Sequence, residues 1–151
     1  MTIDRPQYCF PRAPIGSLLK RVDVQPRLRV KQGADRDEAH LKLIRCCPCL
    51  SCGMEPSEAA HVRMASAAHG KASGLGKKPE DRWALPLCAQ CHRLARTAQH
   101  NRSEQAFWAE LDINPFVAAE RLYAKTGDLV AMRAVAYCVI AARRPAGASA
   151  R

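Results

Sequence analysis

The chain has few aromatic residues, few acidic residues and no long apolar run. Aromatics make up 5% of its 151 residues, so a core of aliphatic side chains alone would be thin for this length and would gain from a staple. No stretch approaches the ~20 apolar residues that span a bilayer. The opening residues, MTIDRPQYCFPR, contain no apolar segment of the kind a signal peptide uses. The expectation is a soluble protein of a reducing, cytoplasmic compartment with no membrane partner. Acidic groups number 14 against 24 Lys and Arg, a net charge of +10. Of the basic residues 17 are Arg, whose planar fork matches phosphate geometry. An acidic polymer such as nucleic acid is the natural partner, although a solvated basic face produces the same count.

Cysteine, in contrast, is abundant, with eight residues. In a reducing compartment clustered cysteines bind metal more often than they form disulfides. Cys49 and Cys52 form one CxxC pair and Cys88 and Cys91 a second. Each such turn points two thiolates at one ion, and two turns complete a tetrahedral zinc shell with no open position, which makes the site structural. Gly53 follows the first pair and suits a tight turn that brings backbone amides toward the sulfurs. Cys46 also stands in a CxxC with Cys49, so either it or Cys47 is an alternative member. Cys9 and Cys138 read as plain thiols.

The length suits one domain. Residues 1–40 read as a basic, proline-containing arm, with RLRVKQ as a short strand. The segment EAHLKLIRC does not decide between helix and strand. SEAAHVR and RWALPLC read as short strands, with Pro86 favouring an edge. Between them GKASGLGKKP reads as a flexible basic loop. Ser103, Asn114 with Pro115, and Asp128 each mark a helix start. The last helix places Leu129, Met132, Val135, Ala136, Val139 and Ile140 on one apolar face, a core or dimer surface, and PAGASAR is a frayed tail. The chain therefore divides into the arm, a core over 41–126, and a C-terminal helix and tail over 127–151.

Five histidines remain. His61 lies between the cysteine pairs, and His92 follows Cys91 directly, which constrains its position. His100 is eight residues further on, so the chain between must bend if both are to meet one ion. His40 and His69 have no such context and read as surface groups.

The order CLSCG, AAHVR, GLGKKPEDRWALPLC, CHR and QH resembles the HNH nucleases of the ββα-metal type, in particular the phage and prophage recombination-enhancement (Ref-like) nucleases, over roughly Leu41 to Leu122. The resemblance implies an α+β fold: a small zinc-stapled ββα-metal core with additional C-terminal helices. It also implies a DNA endonuclease that hydrolyses phosphodiester bonds and works in phage DNA recombination or processing, with DNA and a recombinase filament as partners. By position His61 resembles the general base, Asp81 falls near the middle position usually filled by Asn, and His92 and His100 resemble ligands of an active-site ion, Mg²⁺, Mn²⁺ or Zn²⁺. Many of these enzymes carry an acid or histidine immediately before the base, where this chain has Ala60. Histidine titrates near neutrality and is suited to deprotonating water. Arg63, Lys77, Lys78, Arg82 and Arg93 are the candidate phosphate contacts. The alternative is a zinc-stabilised nucleic-acid-binding module without catalysis.

Overall fold

The computed structural model describes residues 36–72 and 79–143. The expected RLRVKQ strand, the centre of the basic loop with Lys77 and Lys78, Cys9 and the C-terminal tail all lie outside them. The described part is a small α+β structure built on two antiparallel strands.

The undecided segment EAHLKLIRC forms helix α1, Glu38–Arg45. The Asp37 side chain caps it by accepting from His40 N at 2.9 Å, and its inner face buries His40, Leu41 and Ile44. It straddles residue 40, where the arm was expected to end. The strands fall where sequence placed them, β1 at Glu58–His61 and β2 at Ala84–Leu87, in a register that pairs Glu58 with Leu87 and His61 with Ala84. β2 is buried along its whole length. Pro86 costs it no ladder bond, because its carbonyl faces away from β1 and accepts from Leu50 N at 3.0 Å. An amide and carbonyl of one strand residue point the same way, so the missing N–H also falls on the side away from β1.

Beyond β2 the chain makes a single π turn, Gln90–Leu94, closed by Ala95 N donating to Gln90 O at 3.0 Å. Three helices follow, each capped as its sequence predicts: α2, Glu104–Glu110; α3, Pro115–Tyr123; and α4, Leu129–Ala142. One core joins them, with Trp83 and Trp108 its largest fully buried side chains and Ile44, Leu85, Leu87, Leu122 and Met132 around them. α4 buries Met132 and Ala136 and packs Leu129, Val135, Val139 and Ile140 against that core. Its apolar face is therefore a core face, while Val130 and Tyr137 remain exposed. No helix among the described residues is long and apolar enough to cross a membrane.

Candidate metal centre and the histidines around it

The first CxxC turn follows α1 and packs beside β2. Gly53, at φ +81°, donates its N–H to Cys49 O at 2.7 Å and closes the turn in a conformation that L side chains rarely adopt. The second pair begins where β2 ends and continues into the π turn. The sulfurs of Cys49, Cys52, Cys88 and Cys91 all lie within 4.8 Å of one another, and Cys52 Sγ is 3.5 Å from Cys88 Sγ. Zinc–sulfur bonds of about 2.3 Å in a tetrahedron require sulfur separations of roughly 3.8 Å, so the cluster is consistent with structural zinc.

The electrostatics agree. A hydrogen bond from Cys91 lowers the Cys49 thiol to about 5, helped by backbone N–H groups of Cys88, Cys52 and Ser51 against the effect of burial. Burial raises Cys52 to about 11. Cys91 is raised too, by its bond to Cys49 and then by burial. Four thiolates this close would repel one another, and a dication relieves that crowding. Cys46 is exposed and outside the cluster. Cys47 is a buried thiol held by Leu43 O at 3.4 Å, and burial raises it to about 11.

β1 carries chemistry on both faces. Side chains alternate along a strand, so Glu58 and His61, three apart, point to opposite sides. On one side His61 Nε2 meets Asp81 Oδ1 at 2.9 Å. Asp81 Oδ2 accepts from Asp37 N, also at 2.9 Å, which ties the pair to the cap of α1. His40 lies in the same neighbourhood and feels the charges of Asp37, Asp81 and His61, while its burial lowers its own pKa. The surface position expected for it is wrong: His40 is fully buried, because it stands four residues before Ile44 on the inner face of α1.

On the other side Glu58 Oε2 is 2.7 Å from His92 Nδ1. Arg93 donates to both Glu58 oxygens at 2.9–3.2 Å. Arg93 and then His92 hold the Glu58 carboxyl down at about 2. The chain bends between Leu94 and Gln99, as a shared role of His92 and His100 required, and the two rings meet edge to face with centroids 4.5 Å apart. Burial, His92 and Arg63 lower the His100 pKa. A cavity of about 110 Å³ opens beside His100, lined also by Arg63, Gln99, Arg102 and Glu104. Glu104 accepts from Arg63 N, Gln99 Nε2 and Trp108 Nε1, which moors the exit of β1 to α2.

The structure thus pairs His61 with Asp81, and His92 with Glu58 and His100, but on opposite faces of one strand. Among the described residues only the four cysteines bring three or more ligating atoms into convergence. Arg63 is exposed, with no side-chain hydrogen bond among the described residues. Arg82 lies 4.6 Å over the Trp83 ring, and Arg93 is engaged by Glu58. His69 bonds Glu120 at 3.0 Å and stacks on Phe116. Ala60 is fully buried in the core, so no ligand fits that position. Sequence alone does not promote Glu58 to a role, and it gives no sign of Glu104 or Arg102: Glu104 stands one residue after a capping serine and reads as an ordinary first-turn acid, and nothing local marks Arg102. Compared with known proteins, the chain matches no family model, no curated protein and no solved structure.

Proposed function

We propose that the protein is a metal-dependent nuclease of HNH type that hydrolyses phosphodiester bonds in DNA. One observation carries this reading: His61 and His92 are each held by a carboxylate at one ring nitrogen, which leaves the other nitrogen for chemistry. His69 is held by Glu120 in the same way, so the two pairs support the nuclease reading together with the resemblance, in which His61 and His92 stand at the base and ligand positions. Asp81 accepts the Nε2 proton of His61, so Nδ1 carries the lone pair and can take a proton from water, as a base held by a carboxylate does. His92 Nε2 and the adjacent His100 ring offer imidazole donors that suit a divalent ion. When bound, that ion would stabilise charge on the phosphate and on the leaving 3′ oxygen. Arg63, whose guanidinium has no partner among the described residues, stands on the His100 side for a neighbouring phosphate. The resemblance adds a recombinase filament as partner.

A second reading, a zinc-stabilised nucleic-acid-binding module without catalysis, draws on a specific observation too: the two histidine groups occupy opposite faces of β1. Plasmid nicking with Mg²⁺ or Mn²⁺ separates the two. The nuclease reading expects nicking by wild type and a loss of at least ~100-fold in His61→Ala, with zinc content unchanged. DNA binding without nicking in wild type favours the module, and nicking that survives in His61→Ala removes His61 from the role of base.

A further inference from the structure

We infer that Glu58 is a positioning residue that fixes the His92 ring with its proton on Nδ1, presents Nε2 to the active-site ion, and is itself held in place by Arg93. The inference rests on the proposed ion at His92 and His100, and it gives Glu58 and Arg93 duties that the sequence reading did not.

The hydrogen bonds set the direction. Both oxygens of Glu58 receive Arg93: Nε donates to Oε1 at 3.2 Å and to Oε2 at 3.1 Å, and a terminal nitrogen donates to Oε1 at 2.9 Å. A carboxylate ion-paired in this way has no proton to give, so at the 2.7 Å contact with Nδ1 it accepts and the imidazole donates. The lone pair of a neutral His92 then resides on Nε2. Carboxylate–histidine pairs of this kind orient metal-ligating imidazoles and raise their basicity. The backbone fixes the same arrangement from both ends: Glu58 opens β1, and His92 sits in the π turn directly after Cys91, a member of the cysteine cluster. His100 brings its ring edge to face with His92, which sets a second imidazole beside the first. An acid directly before His61 would be buried at Ala60, so a carboxylate reaches this side of β1 two residues earlier. Arg93, although exposed, is spent on Glu58 rather than on a phosphate backbone.

Mn²⁺ alone is the probe, titrated by electron paramagnetic resonance into the full-length, zinc-loaded protein without DNA. Wild type is expected to bind one Mn²⁺ and His92→Ala none. Glu58→Ala should weaken binding about 10–100-fold, the usual effect of removing such an orienting carboxylate. Glu58→Gln, which still accepts from Nδ1, should lie closer to wild type. Arg93→Ala should also weaken binding although it touches no ion. If wild type binds no Mn²⁺, or His92→Ala binds it equally, the ion reading fails and this inference falls with it. If His92→Ala loses the ion while Glu58→Ala binds like wild type, the positioning role alone is overturned. Loss in Glu58→Gln as deep as in Glu58→Ala would make Glu58 a direct ligand instead. An Arg93→Ala variant that loses only DNA affinity would return Arg93 to the phosphate contacts. A merely structural Glu58–Arg93 pair would lower thermal stability and leave Mn²⁺ affinity unmoved.

Discussion

His40 packs its ring edge-on against Tyr123 at a centroid distance of 4.9 Å, with Nδ1 2.7 Å from Thr126 Oγ1 and Nε2 buried with no partner among the described residues. An unmet acceptor costs less than an unmet donor, so the proton belongs on Nδ1 and the ring is neutral. Burial lowers its pKa from 6.5, which means that the unfolded chain binds this proton more readily than the folded one. The stability tied to His40 is therefore complete above pH 6.5 and falls as pH drops below that value toward the depressed folded one. Urea denaturation between pH 7.5 and 5.5 should show a midpoint that declines on acidification, and His40→Gln should flatten that slope. A wild-type slope no steeper than that of His40→Gln would show that the ring is protonated at no cost. The burial of His40 was hidden because α1 has only eight residues, too few for its sequence to decide between helix and strand. Once the helix is known, the spacing of His40 and Ile44 places both inward.

The elements legible in the sequence are those whose signals are local. Ser103, Asn114 and Asp128 each cap the helix they were expected to start, and Gly127, at φ +100°, breaks the chain before α4. Asn114 is the most engaged of these caps, accepting from Phe116 N at 3.0 Å and Val117 N at 3.2 Å. Asn114→Ala should cost about 1 kcal/mol, read as a melting temperature lower by about 3–5 °C. An unchanged melting temperature would mean that α3 is held wholly by its packing. The π turn was not legible, because no local motif writes an i→i+5 bond. It arises where Cys88 and Cys91 must face the cluster while the chain leaves β2. The cysteine quartet was read correctly, since CxxC spacing and a following glycine are themselves local. Which carboxylate meets which histidine was not, because those contacts span 20 and 34 residues.

At the scale of the whole molecule, the cysteine cluster joins the segment after α1 to the exit of β2, with Cys49 and Cys88 in the core and Cys52 exposed. With eight aromatic residues in the chain, that core has little to replace the staple. Cys88→Ser should release the zinc and unfold the centre, seen as loss of bound zinc together with helical circular dichroism. A folded, fully zinc-loaded Cys88→Ser would disprove the quartet. Several of the 24 basic side chains are held by the protein itself. Arg82, Arg93 and Arg102 are engaged internally, and Arg133 of α4 reaches back to Cys46 O and Glu55, each at 2.6 Å, tying the last helix to the cysteine segment. β1 imposes a stricter rule on the chain as it diverges. Glu58 and His61 serve different partners because an odd interval separates them, and adding or deleting one residue would turn both toward the same side. Among descendants of this sequence the length of that segment should drift far less than its composition.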